Sequence, residues 1–257
     1  MLTKVNPLLH PDFISVADAI ECGKVYPLSI AEGIQEGDIF TDSKKEHENI
    51  LFWAHCGFGY LSKKVDKCFL EEIYELMMDR KQTNARRFLL MTSDKSVEEY
   101  FKLKDDVVLE RRYFFDYFGN TELPEPSLPA GYELKEIDHQ TLAEISGGIV
   151  PLLFWKNEND FLMRGKGYCI TCDNDIASWA FSAAVSSREI DIGIETSPKY
   201  KQKGLGLIVA KKMIQYAIEQ DKKPVWACHY RNTASEKIAE KLGFQKMSEC
   251  SIIKNKV

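Results

Sequence analysis

One stretch of the chain restricts the fold more than any other, because a strand runs through a lysine- and glycine-rich turn directly into a long helix. The strand covers residues 189–196, and the turn reads Lys201-Gln-Lys-Gly-Leu-Gly206. From residue 204 to residue 220 the apolar residues recur at helical spacing, which predicts one buried helical face. Such a turn aims several backbone N–H groups and the positive end of the helix dipole at one spot. It is therefore predicted to hold a phosphate or pyrophosphate group.

The glycines and lysines of this turn favour a bound anion. A Cβ atom at Gly204 or Gly206 is expected to hold the ligand away from the backbone, and Lys201 and Lys203 can add positive charge. The turn lacks the Gly-Lys-Ser/Thr ending of a P-loop, and no G-x-G-x-x-G opens a parallel βαβ unit here. Taken alone, the turn leaves a simpler alternative open, a tight strand-to-helix connection with solvated lysines.

A second motif follows later in the chain. Asn232-Thr-Ala-Ser-Glu-Lys-Ile-Ala-Glu-Lys-Leu-Gly-Phe244 begins with an Asn that opens a helix and ends at a glycine suited to a helix C-terminus. This motif and Lys201-x-x-Gly204-x-Gly206, in which Lys replaces the usual Arg or Gln, resemble the two signatures of the GNAT acetyltransferase superfamily. The two occur in the family's order and at its spacing. The elements predicted for this half, four strands, helix, strand, helix and strand, agree with that fold.

The predicted fold class is α/β (α+β) in two domains. Three prolines and two glycines interrupt the pattern between residues 119 and 131, which places the boundary between an N-terminal domain of residues 1–125 and a GNAT domain of residues 126–257. The GNAT domain is expected to have a mixed central sheet flanked by helices. In the N-terminal domain, strands are predicted at residues 37–41, 50–61, 87–92 and 107–118, and helices at residues 65–80 and 93–103.

The chain also resembles a bacterial subgroup of two-part GNAT proteins. That resemblance allows the N-terminal domain to be a degenerate GNAT-like unit. Its strand-to-helix turn, residues 61–66, contains no Gly-x-Gly. We therefore predict that this domain has no cofactor site of its own and builds one wall of the acceptor pocket.

The GNAT resemblance implies acetyl-CoA as cosubstrate. It implies that Ile194 and Thr196 pair their backbone groups with the pantetheine arm and that the amides of the turn bind the pyrophosphate. Asn232 has two predicted roles, contact with the cofactor and capping of the helix. The residues assigned to cofactor binding are Ile194, Thr196, Lys201, Gln202, Lys203, Gly204, Leu205, Gly206 and Asn232.

Acetyl transfer to an amine needs a base for the amine and an acid for the departing thiolate. The candidate bases are Glu189, Asp191 and Glu195, which strand alternation places on one face. Counting back from the Gly-Phe turn, Ala239 occupies the position where many GNAT enzymes carry a Tyr that acts as the general acid. Candidate substitutes nearby are Ser235, His229, Tyr230 and Cys228. The residues assigned to catalysis are Glu195, Asp191 and Ser235.

Composition limits the partners and the compartment. The formal charge of −5 argues against an electrostatic grip on nucleic acid. No apolar run reaches the roughly 20 residues that span a bilayer, and the first residues lack the apolar middle of a signal peptide, so we expect a cytoplasmic protein without membrane contact. The seven cysteines are expected to be reduced. Cys169-x-x-Cys172 has no second pair at zinc-finger spacing, and no metal site is predicted.

These observations predict an N-acetyltransferase in which acetyl-CoA and an amine of a small molecule or peptide form a ternary complex and the amine attacks the thioester directly. Two alternatives stay open. The first is a non-catalytic CoA-binding or regulatory module, which Ala239 favours, and the second is a nucleic-acid-associated modifier that acetylates a protein or RNA partner, which the net charge disfavours. Trp155, Trp179 and Phe181 are suited either to an acceptor pocket or to the core. The oligomeric state is open, a homodimer being one option.

Overall fold

The chain folds into two compact units. The computed structural model describes residues 2–6, 11–42, 49–119 and 127–256. The first unit contains Met1–Phe114 together with Ser248–Val257, and the second contains Phe115–Met247.

This division differs from the predicted ranges of residues 1–125 and 126–257. The chain leaves the first unit within a strand, before the predicted linker, and its last ten residues return to that unit. A single boundary in the linker therefore does not describe the two units. The central part of that linker, residues 120–126, lies outside the described residues.

The first unit alternates between short helices and strands. In chain order its elements are β1 (Thr3–Val5), α1 (Asp12–Asp18), α2 (Val25–Ala31), β2 (Gly37–Thr41), β3 (Ile50–Ala54), β4 (Phe58–Leu61), α3 (Lys67–Met78), α4 (Arg80–Ala85), β5 (Leu89–Thr92), α5 (Lys95–Lys102) and β6 (Val107–Tyr117), whose last residues belong to the second unit.

The second unit follows the same plan with longer strands. Its elements are β7 (Tyr132–Glu136), α6 (His139–Glu144), α7 (Pro151–Phe154), α8 (Glu158–Arg164), β8 (Gly167–Cys172), β9 (Asp175–Val185), β10 (Glu189–Thr196), α9 (Leu205–Glu219), β11 (Lys223–His229), α10 (Thr233–Lys241) and β12 (Phe244–Asn255), which ends in the first unit. A short 3-10 turn, Pro198–Tyr200, lies between β10 and α9.

One strand topology occurs in both units. In the first unit β1, β2, β3 and β4 pair antiparallel in succession, and β5 then pairs parallel to β4 after the helices α3 and α4. In the second unit β7, β8, β9 and β10 pair antiparallel in succession, and β11 then pairs parallel to β10 after α9. A helix and a final strand follow each parallel pair. The first unit therefore repeats the mixed sheet of the second.

The final strand of the chain completes the sheet of the first unit. Ser251, Ile252 and Ile253 of β12 pair antiparallel with Thr92, Met91 and Leu90 of β5. Ile253 is fully buried in the core of this unit, among side chains of β3, α3 and α5. The C-terminus is thus a structural part of the N-terminal unit.

Most predicted elements are present, and the strands and helices differ from the prediction in several places. Residues 50–61 form the hairpin β3–β4 rather than one strand, because Gly57 turns the chain with φ +93° and packs so closely on Arg87 that a Cβ atom would lie 2.3 Å from its carbonyl oxygen. Residues 244–255 form one continuous strand, whereas the sequence predicts strand segments at residues 244–247 and 250–254. The short helices α1, α2 and α4 were not predicted, since runs of six or seven residues give little periodicity.

The long helix α9 packs through the face predicted from its periodicity. Ile208, Ala210, Met213, Ile214 and Ala217 are buried. Ile218, which was assigned to the same face, is 54% exposed. The buried face of α9 therefore ends at Ala217, and Ile218 and Glu219, the last two residues of the helix, are exposed.

Candidate active site

The parallel strands β10 and β11 separate part of the way along their length. Their register joins Glu189, Ile190 and Asp191 to Lys223, Pro224 and Val225, whereas β10 continues to Thr196 and β11 to His229. In the part of the chain that the structure describes, no strand pairs with residues 192–196 on this edge of β10. An extended ligand therefore has access to backbone groups of Ile194 and Thr196.

The predicted anion-binding turn connects β10 to the N-terminus of α9. Gly204 is the N-cap residue in the left-handed conformation (φ +77°), and no side chain caps the helix. Gln202 also has positive φ, at 64°. The amide of Lys201 donates to the carbonyl of Pro198 at 3.5 Å, and the amide of Leu207 donates to the carbonyl of Gly204 at 3.1 Å. Among the described hydrogen bonds, the amides of residues 202–206 have no protein acceptor, so these amides and the helix dipole are available to an anion.

The two glycines of the turn have different surroundings. A Cβ atom at Gly204 would meet nothing within 4 Å, so this position is open to a ligand. A Cβ atom at Gly206 would lie 3.3 Å from Thr196 Oγ1, 3.4 Å from Ile194 Cδ1 and 3.6 Å from Ile238 Cδ1. Gly206 therefore permits close packing of α9 on β10 and α10, and its missing Cβ does not face an open ligand space.

The lysines of the turn have different surroundings. Lys203 donates to Tyr132 Oη at 2.8 Å and lies over the rings of Tyr132 and Tyr200. The hydrogen bond from Lys203 to Tyr132 raises the pKa of this lysine. Lys199 forms an ion pair with Asp175, while Lys201 is exposed. The side chain of Lys203 is therefore directed to a tyrosine of β7 rather than to the helix N-terminus.

The second motif opens α10 as predicted. Asn232 is the N-cap residue, and its Oδ1 accepts a hydrogen bond from the amide of Ser235 at 3.1 Å. Ser235 Oγ accepts a hydrogen bond from Trp226 Nε1 at 3.0 Å. The capping role of Asn232 is thus confirmed. Its side-chain amide nitrogen is not needed for capping.

The three candidate bases share one face of β10 but are not brought together. Glu195 lies opposite Trp179 of β9, while Asp191 lies near the start of the strand opposite Val225 of β11. Asp191 and Glu189 are buried, at 5% and 9% exposure, and Glu195 is partly exposed. Four residues of extended strand separate the Cα atoms of Asp191 and Glu195 by about 13 Å. One substrate atom cannot contact both carboxylates, and Glu195 is the one next to Thr196, which contacts Gly206.

The immediate partners of Glu195 were not predicted. Its Oε2 accepts a hydrogen bond from the amide of Ile149 at 2.6 Å, and the carbonyl of Ile149 accepts one from Trp179 Nε1 at 2.8 Å. The loop that carries Ile149 lies between α6 and α7, 46 residues before Glu195. Gly147 was the signal in the sequence, since a glycine can mark a close backbone approach, although it does not indicate which residue is approached.

The nearby candidates for a general acid differ in exposure. Ala239 is fully buried, so the described α10 helix presents no hydroxyl at that position. Cys228 is 4% exposed. The His229 Nδ1 atom accepts a hydrogen bond from the amide of Arg231 at 3.2 Å. The Tyr230 hydroxyl oxygen accepts one from Arg231 Nε at 2.6 Å. Ser235 and Tyr230 both accept a hydrogen bond and so keep a hydroxyl proton, and Ser235 is the one that lies in the first turn of α10.

The equivalent turn of the first unit is closed to anions. Asp66 caps α3, and its carboxylate accepts the amide of Phe69 at 2.8 Å. Asn49 fixes this cap, because its Oδ1 accepts the amide of Asp66 at 2.9 Å and its Nδ2 donates to Asp66 Oδ2 at 3.2 Å. A negative charge already occupies this helix N-terminus, which opposes the binding of a phosphate.

Several candidate aromatic and metal-ligating residues lie in the core. Trp155, Trp179 and Phe181 are buried, at 1%, 2% and 0% exposure. Burial raises the pKa of Cys169 to about 11. Within the described ranges, no group of three or more His, Cys, Asp or Glu side chains is arranged to hold a metal ion. Among the described helices, none is both long and apolar enough to span a bilayer.

The fold and this site together indicate the class of enzyme to which the protein belongs. A repeated mixed sheet, in which a parallel strand pair separates beside an uncapped helix N-terminus, is suited to a transferase that holds an extended, phosphate-bearing cosubstrate. The chain belongs to the GNAT acetyltransferase family, whose family model matches residues 24–253. It is accordingly a GNAT-type N-acetyltransferase, and acetyl-CoA is the donor that this family normally uses. The match includes most of the first unit.

Similar proteins agree with this assignment. The uncharacterized N-acetyltransferase YdfB of Bacillus subtilis strain 168 is 23% identical over 228 residues, which cover 87% of each chain. A GCN5-related N-acetyltransferase-like protein from Streptococcus suis has a similar structure, with a TM-score of 0.78 at 19% identity over 97% of this chain and 99% of that one. A tandem GNAT protein from the clavulanic acid biosynthesis pathway matches with a TM-score of 0.65 at 11% identity, over 98% and 97% of the two chains. At these identities the two structures show the fold.

Proposed function

We propose that the second unit binds acetyl-CoA along β10 and the N-terminus of α9 and transfers the acetyl group to an amine of a small molecule or peptide. The observation that carries this proposal is the uncapped N-terminus of α9 beside the separating strands β10 and β11. Unpaired amides and the helix dipole favour the pyrophosphate. The open space at Gly204 leaves room for it.

Each cofactor residue has a separate part in this proposal. The amides of residues 202–206, including that of Lys203, bind the pyrophosphate, and the exposed side chain of Lys201 adds positive charge near it. Ile194 and Thr196 offer backbone groups on the unpaired edge of β10 to the pantetheine arm. Asn232 donates a hydrogen bond from Nδ2 to the cosubstrate, while its Oδ1 caps α10.

Glu195 is the base in the proposed reaction. Bound acetyl-CoA supplies an activated acyl group that an unprotonated amine attacks directly. Glu195 takes the proton of the amine on Oε1, since the described residues engage only Oε2. Ser235 accepts a hydrogen bond from Trp226 and keeps its own hydroxyl proton free to donate a hydrogen bond to the departing sulfur, which leaves as the thiolate of CoA and takes its proton from solvent. Asp191 has no part at the reacting atoms, because it is buried near the other end of β10.

A second candidate function is a CoA-binding module without catalysis. The buried Ala239 favours it, because the residue that serves many GNAT enzymes as acid is replaced by a methyl group. The two candidates share the cofactor site and differ only in turnover. Neither involves nucleic acid, since the formal charge of −5 opposes binding to phosphates.

Calorimetric titration with acetyl-CoA tests the site. Gly204→Asp adds a carboxylate at the amides of the turn, and Gly204→Asn is the matched control because it has nearly the same shape and the same backbone conformation. We expect Gly204→Asp to bind acetyl-CoA about tenfold more weakly than Gly204→Asn, which corresponds to about 1.4 kcal/mol. Equal affinities of the two variants would place the cosubstrate elsewhere.

Thiol release from acetyl-CoA with a panel of amines separates the two candidate functions. The panel contains a polyamine, an aminoglycoside, an amino acid and a lysine-containing peptide. We expect turnover with at least one amine and a loss of about a hundredfold in kcat for Glu195→Gln. Tight binding of acetyl-CoA without turnover of any amine would support the non-catalytic module.

A further inference from the structure

Three groups in the second unit form a continuous chain of hydrogen bonds that ends on the proposed base. Trp179 Nε1 donates to the carbonyl oxygen of Ile149 at 2.8 Å. The amide of the same residue, Ile149, donates to Glu195 Oε2 at 2.6 Å. Trp179 and Glu195 are also direct cross-strand neighbours on β9 and β10. One loop residue is therefore held by the indole on one side and holds the carboxylate on the other.

Gly147 brings the loop into contact with both ends of this chain. A Cβ atom at this position would lie 2.5 Å from Glu195 Oε2 and 2.8 Å from Trp179 Cζ2. Both distances are shorter than carbon atoms can approach without displacing their neighbours. The next residue, Gly148, is different, because a Cβ atom there would meet nothing within 4 Å. Of these two glycines, only Gly147 is needed for the close packing of the loop on the Glu195 carboxylate.

We propose that Trp179 and the loop of residues 147–149 position Glu195 for proton transfer. This inference rests on the proposed function, in which Glu195 is the base. The Ile149 amide fixes Oε2, so that Oε1 is presented to the acceptor amine in one orientation. The indole fixes the loop, because rotation of Ile149 away from Glu195 would also break its bond to Trp179. Trp179 is thus a positioning residue, which acts through Ile149 and touches no substrate.

The placement of Trp179 differs from that of a tryptophan that only fills the core. Trp155 is equally buried and also donates its Nε1 proton to a backbone carbonyl, that of Ser182 at 2.8 Å. Ser182 lies inside β9 and has no hydrogen bond to Glu195 among the described contacts. The two tryptophans share burial and hydrogen-bond type, and only Trp179 is connected to the base. Trp155→Phe is therefore a matched control for Trp179→Phe.

A double-mutant cycle with Glu195→Gln tests the inference in the thiol-release assay, with the amine that the panel identifies. We expect Trp179→Phe to lower kcat about tenfold, since small displacements of a reacting group are costly, with KM for acetyl-CoA unchanged. In the Glu195→Gln background the same substitution is expected to change kcat less than about twofold, because coupled residues are not additive. Trp155→Phe is expected to leave kcat unchanged in either background.

A second pair of variants covers the case in which Trp179→Phe does not fold. Gly147→Ala is expected to lower kcat about tenfold and Gly148→Ala to leave it unchanged, although both glycines are exposed loop residues. Equal effects of Trp179→Phe in the two backgrounds, or equal effects of the two glycine substitutions, would overturn the positioning role. A wild-type kcat for Glu195→Gln would instead overturn the proposed base.

The hydrogen-bond chain also has a readout that needs no acceptor. The four tryptophans give four indole N–H resonances, which single Trp→Phe variants assign. We expect Glu195→Gln to shift the indole resonance of Trp179 and the amide resonance of Ile149, and to leave the indole of Trp155 in place. Unchanged resonances for Trp179 and Ile149 would overturn the inference even if no amine in the panel were acetylated.

Discussion

At the scale of single residues, Gly204 and Gly206 lie two positions apart and have different structural roles. Gly204 has positive φ and empty space where a side chain would be, so its value lies in backbone conformation and in ligand access. Gly206 lies in the first turn of α9 and allows the helix to approach Ile194 and Thr196. Only the backbone conformation and the neighbours distinguish these glycines, and neither is visible in the Gly-x-Gly pattern.

The positive φ of Gly204 predicts an order of stability among the wild type and two variants at this position. We expect Gly204→Ala to lower the free energy of unfolding by about 1 kcal/mol, because the left-handed conformation places a Cβ atom against its own backbone. Gly204→Asn is expected to cost less, since Asn tolerates this conformation. Urea denaturation of the three proteins measures the difference. An alanine variant as stable as the wild type would mean that the turn does not keep its left-handed residue.

Glu98 of α5 predicts part of the pH dependence of stability. Burial would raise the pKa of Glu98, but hydrogen bonds from Ser251 and Arg111 and the charge of Arg111 outweigh it and hold the pKa below its usual value. Such a carboxylate stabilises the fold above the pKa of an unfolded Glu, about 4.3. That contribution is lost as the pH falls through the lower pKa of the folded state.

Glu98→Gln is therefore expected to weaken the acid dependence of unfolding. Between pH 5 and pH 3, the urea midpoint of this variant should fall less than that of the wild type, because the glutamine binds no proton in either state. Glu99→Gln serves as control, since Glu99 is the exposed neighbour on the same helix. The same acid dependence in Glu98→Gln and wild type would show that this carboxylate has no depressed pKa.

At the scale of elements, two helices in equivalent places begin in opposite ways. Helix α9 begins at an uncapped glycine, and α3 begins at Asp66, whose carboxylate and its partner Asn49 satisfy the first amides. A capped N-terminus adds stability, while an uncapped one leaves its amides for a ligand. This contrast explains in physical terms why one copy of the repeated topology is suited to an anion and the other is not.

The cap of α3 predicts a difference between two substitutions at one residue. Asp66→Ala is expected to lower the free energy of unfolding by about 1 kcal/mol, because the amide of Phe69 loses its acceptor. Asp66→Asn keeps an acceptor oxygen and is expected to cost less. The measurement is urea denaturation at pH 7. Equal losses in the two variants would contradict the assignment of Asp66 as the cap.

At the scale of the whole molecule, the chain builds one topology twice and then returns to the first unit. Each unit has four antiparallel strands followed by a strand that runs parallel to the fourth, with two helices between them in the first unit and one in the second. The last strand, β12, supplies Ile253 to the core of the first unit. The N-terminal unit is therefore incomplete until residues 251–253 have been synthesised, whatever the function of the second unit.

A core substitution near the C-terminus should thus weaken the N-terminal unit. Ile253→Ala is expected to cost about 2–5 kcal/mol, since the buried side chain leaves a cavity. Hydrogen exchange should show faster exchange at Leu90 and Met91 of β5, with β8 and β9 unchanged. Ile218→Ala is the control, because this isoleucine is 54% exposed and lies on α9. Faster exchange in β8 and β9 only would contradict the place of β12 in the first unit.

The sequence by itself determined the features that depend on near neighbours in the chain. The face of α9, the strands β7 to β10, the cap at Asn232 and the Gly-x-Gly turn all arise from local periodicity and from residues with special backbone preferences. The family resemblance follows from two such motifs in order. The absence of the usual tyrosine at Ala239 could also be predicted from the sequence, because it depends only on which residue occupies one position of a motif.

Only the tertiary structure decided which distant residues meet. Nothing near Glu195 in the sequence indicates Ile149, 46 residues earlier, and nothing near residue 253 indicates the core of the first unit. The pairing of Trp179 with Glu195 depends on the register of β9 and β10, and the separation of Asp191 from Glu195 on the length of the strand. These contacts are set by sheet register and loop packing, which sum many weak interactions over the whole chain and leave no local pattern.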